Sequence, residues 1–170
     1  MSNHAVRPTL DITAGAVALA EQLPSVLAAR GVQSPEELGW KIIGKRTLLV
    51  PFSAPDGEKY LLRLIFNAGR EWPPSAQFVN PSTNAYTLGS DKQFLPDLRS
   101  PETQVHPEYN CPGGGKIQLV CCSATYEYYD VLHGGEDTIL WRESDTFEVL
   151  LGAVGRAFAQ HYHGRHQANA

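Results

Sequence analysis

The chain has 170 residues, a formal charge of −4 and three cysteines. That length fits one ordinary domain, and the absence of a basic excess argues against nucleic acid as the main partner. Three cysteines are too few and odd in number for a disulfide scaffold, which points to a reducing, cytoplasmic setting.

The opening residues MSNHAVRPTLD lack the apolar centre of a signal peptide, so residues 1–12 read as a flexible N-terminus. No apolar run is expected to reach membrane-spanning length, and no membrane partner is implied. Residues 13–30, rich in Ala and Leu and followed by Gly31, predict a helix capped by Thr13. Pro24 inside it predicts a kink or two abutting pieces. Ser34-Pro35-Glu36-Glu37 carries a capping-box start for a short helical turn.

From Trp40 the pattern changes to short apolar runs. Residues 40–43, 47–52, 60–66 and 76–79 read as four strands of an antiparallel meander, with turn chemistry at Ala54-Pro55-Asp56-Gly57. Residues 80–115 hold five prolines (81, 96, 101, 107 and 112) and end in Gly113-Gly114-Gly115. They read as a long surface loop that is more mobile than the sheet and runs near Cys121. An apolar run at 117–122, an aromatic segment, a Gly134-Gly135 turn and Trp141 follow. Phe147, Leu150, Leu151, Val154 and Phe158 then recur at helical spacing and predict a helix over 145–160. One domain over 13–162 and a disordered tail over 163–170 complete an α+β reading.

Cys121 and Cys122 are adjacent at the end of a strand-like run. A strand sends neighbouring side chains to opposite faces, so one cysteine must point away from the core.

Trp72-Pro73-Pro74-Ser75-Ala76-Gln77-Phe78 lies between the third and fourth strands. Pro-Pro offers no backbone N–H, so the chain must turn there. This aromatic-Pro-Pro-x-x-x-Phe element, in this order of parts, resembles the ubiquitin-conjugating enzyme superfamily. His106-Pro107-Glu108-Tyr109-Asn110 lies where that family carries His-Pro-Asn. Gly115-Lys116-Ile117 is similar to its Gly-x-Ile approach to the active site, and Trp141 to its later tryptophan. The resemblance covers roughly residues 10–160. It implies an N-terminal helix, a four-stranded meander, an active-site loop and a C-terminal helix.

Two alignments are open. Placing Gly115-Lys116-Ile117 rigidly puts Gln118 where the family has its cysteine, the pattern of a non-catalytic variant that binds a ubiquitin-like protein or another partner. Matching Val120-Cys121-Cys122 instead makes Cys121 the nucleophile. Thr125-Tyr126-Glu127-Tyr128-Tyr129 then resembles a Thr-x-Glu-Tyr stretch of divergent bacterial members. The second alignment is preferred. It implies an acyl (thioester) transferase, with no cofactor, that accepts a ubiquitin-like protein from an activating enzyme and passes it to an amine on a protein substrate. Such a carrier needs an accessible thiolate, an oxyanion donor and a base for the incoming amine. Cys121 is the expected nucleophile and Cys122 the buried partner. Asn110 is the expected donor, since Glu108 takes the family's asparagine position. Glu127, Asp130 and His133 are the candidate bases, with Glu127 closest to the matched segment and His133 retained beside it.

A zinc-stabilised binding module is the competing reading, drawing on Cys111, Cys121, Cys122, His106 and His133. Irregular spacing and the lack of a Cys-x-x-Cys pair weigh against it, so no metal site is expected. His161, His163 and His166 read as part of the polar tail. Nothing resembles the surroundings of a papain-like cysteine.

Overall fold

The computed structural model describes residues 6–131 and 140–168. Helix α1 spans Ile12–Ala29 and is capped by Asp11, whose carboxylate accepts from the Ala14 N–H at 3.0 Å. The cap therefore lies two residues before the expected Thr13, because Asp11 is the residue with extended backbone there. The helix ends in a Schellman arrangement: Gly31 N–H donates to Ala28 O and Val32 N–H to Leu27 O, both at 3.1 Å, with Gly31 at φ 72°. Pro24 does not split α1. It is exposed, and so is Ala20 one turn earlier, so the carbonyl that loses its bond faces water. By length and composition α1 is apolar enough to cross a bilayer, contrary to the sequence expectation. Its inner face, including Gly15, Ala18, Leu19, Val26 and Leu27, is buried in the core.

The next turn, Pro35–Leu38, is 3-10 rather than α; Glu37 accepts from the backbone N–H of Gln33 (2.7 Å) and Ser34 (2.9 Å). Strands β1 (Lys41–Ile43), β2 (Thr47–Ser53), β3 (Lys59–Ile65) and β4 (Ser75–Val79) form one antiparallel sheet in chain order, as the short apolar runs predicted. Leu48, Val50, Tyr60, Leu62, Leu64 and Phe78 point to one face and build the core. Helix α3 (Glu148–Gln160) covers that face and starts slightly later than the pattern suggested. Its Phe158 ring stacks on Phe52 at 5.2 Å and meets Tyr60 at 5.5 Å. Gln22 of α1 accepts from the Phe147 N–H at 2.9 Å, tying the two helices together.

Residues 80–115 are not a structureless loop. They contain a 3-10 turn (Lys92–Phe94), strand β5 (Pro96–Leu98) and strand β6 (Gln104–Asn110). β6 pairs with β7 (Lys116–Cys121), and β5 pairs with β8 (Tyr162–Arg165). The prolines hid this. Pro107 lies at a bulge where the register shifts between His106 and Tyr109, and Pro96 opens a three-residue strand, both positions that tolerate a missing N–H. The tail is likewise tied down. Tyr162 donates to Asp56 Oδ2 at 2.8 Å and lies 2.6 Å from the Tyr60 hydroxyl, while Arg165 lies 4.4 Å above the Tyr60 ring. Residues 163–165 are thus strand, not disordered tail.

The free side of β4 is closed by side chains. Ala76 and Phe78 turn backbone groups away from β3. The Glu127 carboxylate takes the Ala76 N–H at 3.2 Å, and the Gln118 amide takes Phe78. Short helix α2 (Tyr126–Asp130) positions Glu127 there.

Candidate functional site

The candidate site is the β6–β7 hairpin, the turn after it and α2. The hairpin loop is built by glycine. Gly114 and Gly115 adopt φ 96° and 83°, and the Cys111 N–H donates to Gly115 O at 3.0 Å. Registers run Asn110↔Lys116 at the tip and Gln104↔Cys121 at the base. Lys116 pairs with Glu108 at 3.6 Å on the surface. The Tyr86 hydroxyl donates to the Pro107 carbonyl at 3.0 Å and pins the bulge.

At the base, the chain leaves β7 through a tight turn. Thr125 Oγ1 donates to the carbonyls of Cys122 (2.8 Å) and Val120 (3.2 Å). The Tyr126 N–H then reaches Pro74 O at 3.0 Å, so the Pro-Pro segment docks α2 against β4. Trp72 packs on Tyr129 at 5.4 Å, and Trp141 Nε1 donates to Arg70 O at 2.9 Å. The aromatic-Pro-Pro element is therefore the platform for the site's floor.

Cys121 is partly exposed and Cys122 is buried, the expected division, although the strand ends at Cys121 and Cys122 lies in the turn after it. The environment of Cys121 does not favour a thiolate. Burial, assisted by neighbouring Cys122, pushes its thiol up to about 11. Asn110 does not join it. Lys116, its partner, lies five residue steps along β7 from Cys121, a span of roughly 16 Å at strand rise. The expected oxyanion donor thus sits at the opposite end of the hairpin, because both residues belong to paired strands rather than to a loop folded back on itself. Asp130 pairs with Arg7 at 3.6 Å near the surface, and His133 lies outside the described residues.

Glu127 is half-buried, hydrogen-bonded to Ser75 Oγ and the Ala76 N–H, and its carboxyl is raised to about 7. Burial is the main cause, and Asp130 adds to it, whereas the bonds from Ser75 and Ala76 oppose it. Arg63, on the neighbouring strand, gains from the Glu127 charge although burial lowers its own value. A carboxylate with these properties can hold or release a proton near neutral pH.

Gln118 is fully buried. Its Oε1 accepts from the Phe78 N–H at 2.7 Å, and its Nε2 donates to Phe78 O at 2.8 Å. A lone amide inside the apolar run Ile117–Cys122 was the available signal for this role, since a buried carboxamide must find partners. Ser75 carried no such signal. Among the described residues, no three His, Cys, Asp or Glu side chains gather where they could hold a metal ion.

In comparisons with family models, curated proteins and solved structures, no match to the chain is found.

Proposed function

We propose that the chain is a non-catalytic adaptor of the ubiquitin-conjugating-variant kind, binding a ubiquitin-like protein without carrying it as a thioester. The observation that carries this reading is the dispersal of the expected thioester apparatus. Cys121 has a thiol raised to about 11, and Asn110 stands at the far end of the hairpin. At pH 7 about one such thiol in 10⁴ is ionised, a poor supply of the attacking species. Gln118 adds support. In the rigid alignment it stands where the family has its cysteine, and both halves of its amide are engaged with Phe78. The N-terminal helix, four-stranded meander and C-terminal helix agree with the order of parts in that family.

The test incubates the purified chain with ubiquitin, its activating enzyme and ATP, and titrates ¹⁵N-labelled chain with ubiquitin as the probe. The expected result is no thiol-labile adduct together with saturable amide shifts. An adduct abolished by Cys121→Ala, or no shifts at millimolar ubiquitin, overturns the reading.

The second reading is the transferase. The outward placement of Cys121 against the buried Cys122 favours it. In that chemistry the Cys121 sulfur attacks the acyl carbon of the thioester that joins the ubiquitin-like protein to its activating enzyme, that enzyme's cysteine leaves as a thiolate, and the Cys121 thiol proton passes to a base. A substrate amine then attacks the thioester and the thiolate leaves. The adduct assay separates the two readings.

A further inference from the structure

The outward face of the sheet carries a groove of about 460 Å³ whose lining includes no residue of the β6–β7 hairpin. Its floor is one rung of the sheet. Pro51 on β2 pairs with Leu61 on β3, and Leu61 pairs with Val79 on β4. Pro81 and Phe94 extend this apolar floor, and Phe94 belongs to the 3-10 turn that walls one side.

Two cations stand on the rim, in different situations. Arg165 is neutralised: it donates to Glu58 at 2.6 Å, to Gln93 O at 2.7 Å and to Lys59 O at 3.1 Å. Lys59 is exposed, and its ammonium donates to the neutral Ser53 hydroxyl at 2.6 Å. Among the described residues no carboxylate forms an ion pair with Lys59. The groove therefore presents an apolar floor with one uncompensated positive charge at its edge.

The spacing narrows the ligand. Leu61 and Lys59 are successive outward positions on β3, roughly 6.6 Å apart along the strand. An extended peptide also repeats its side chains on one face at that interval. The geometry points to a binding site for an extended peptide segment of another protein, bearing a bulky apolar residue and a carboxylate two positions away. The apolar side chain lies over Pro51 and Leu61 beside Phe94, with the buried Val79 behind them, and the carboxylate meets the Lys59 ammonium. This site stands whether or not the chain binds a ubiquitin-like protein.

The experiment measures polarisation of fluorescein-Gly-Phe-Ser-Glu-Gly-amide against the full chain. Companion peptides carry Gln or Lys in place of Glu, or have Phe and Glu adjacent. The expected order is tightest binding by the Phe-Ser-Glu peptide, with the Gln peptide about fivefold weaker, as loss of one rim ion pair implies. Lys59→Glu abolishes the preference for Glu and transfers it to the Lys peptide. Phe94→Ala weakens the Glu and Gln peptides alike. An unchanged circular dichroism spectrum confirms that Lys59→Glu is folded, and amide shifts should centre on Leu61, Val79 and Phe94. The proposal is overturned if Glu and Gln peptides bind wild type equally, if Lys59→Glu leaves the preference intact, or if no peptide saturates at millimolar concentration.

Discussion

The carboxamide of Gln118 answers both the N–H and the C=O of Phe78, so one side chain on β7 behaves toward β4 as a residue of a neighbouring strand would. Both groups are buried, and neither has water as an alternative. Gln118→Leu leaves a donor and an acceptor without partners in the core. It should cost about 3 kcal/mol, from the usual penalty for burying unsatisfied groups. Urea denaturation of the variant against wild type measures this. A change of no more than about 0.5 kcal/mol, the size of a neutral surface substitution, would mean that the bonds add nothing net.

Glu127 gives the second prediction. Its folded-state value, about 7, lies above the ordinary 4.5. Between those values the folded chain binds the proton more tightly than the unfolded chain, so this group's contribution to stability falls as pH rises through the window. Glu127→Gln keeps an acceptor for the Ala76 N–H and carries no charge. The variant should gain on wild type by about 2 kcal/mol between pH 4.5 and pH 7.5, the amount that a shift of this size implies after discounting for partial exposure. Denaturant midpoints across that range provide the check, and parallel pH profiles would refute it.

Cys121 supplies a kinetic prediction. With its thiol raised to about 11, modification by iodoacetamide at pH 7.5 should be slower than for a free cysteine by roughly a hundredfold. The rate should keep climbing between pH 9 and pH 11. Cys122, buried beside it, should react only on unfolding. Mass spectrometry of the labelled peptides distinguishes the two sites. Rapid labelling of Cys121 at neutral pH would instead revive the transferase reading.

Gly15 supplies a stability prediction that runs against helix propensity. A Cβ there would lie 2.0 Å from the Phe66 carbonyl oxygen, a backbone atom that cannot step aside. Gly15→Ala should therefore destabilise by about 1–3 kcal/mol, the usual cost of overpacking, although alanine is the better helix former. Thermal denaturation against a helical control with open space at the Cβ, Gly155→Ala, isolates the packing effect; equal gains in both variants would show that α1 can shift freely.

The sheet and both long helices were legible because their signals are local: compact apolar runs at 47–52 and 60–66 around turn residues, helical spacing from Phe147 to Phe158, and Gly31 as a stop. The hairpin was not. β6 contains Pro107, its alternation breaks at the bulge, and among the described strands it ladders with β7. β8 is a four-residue strand that exists because β5 and Tyr60 receive it, a relationship spanning about a hundred residues, beyond any local pattern. The division between Cys121 and Cys122 was expected from period-two geometry, yet β7 ends at Cys121 and Cys122 is buried from the turn beyond it. The separation of Asn110 from Cys121 did not, since it depends on a pairing register that the prolines and glycines obscured. Gln118 was visible as an oddity among apolar neighbours, but only the position of Phe78 gave it a purpose.

The side chains that close β4 also bear on how copies of this chain meet in concentrated solution. A strand with unsatisfied backbone groups along one side invites another molecule to lay its own strand there, and growth by repetition leads to fibrous aggregates. Here Glu127 and Gln118 occupy the places such an intruder would need, at Ala76 and Phe78. On the opposite side of the sheet the last strand, β1, has three residues and begins with Lys41, too short and too charged a seam to propagate. The sheet is thus fenced on both flanks, by borrowed carboxamide and carboxylate on one and by brevity on the other.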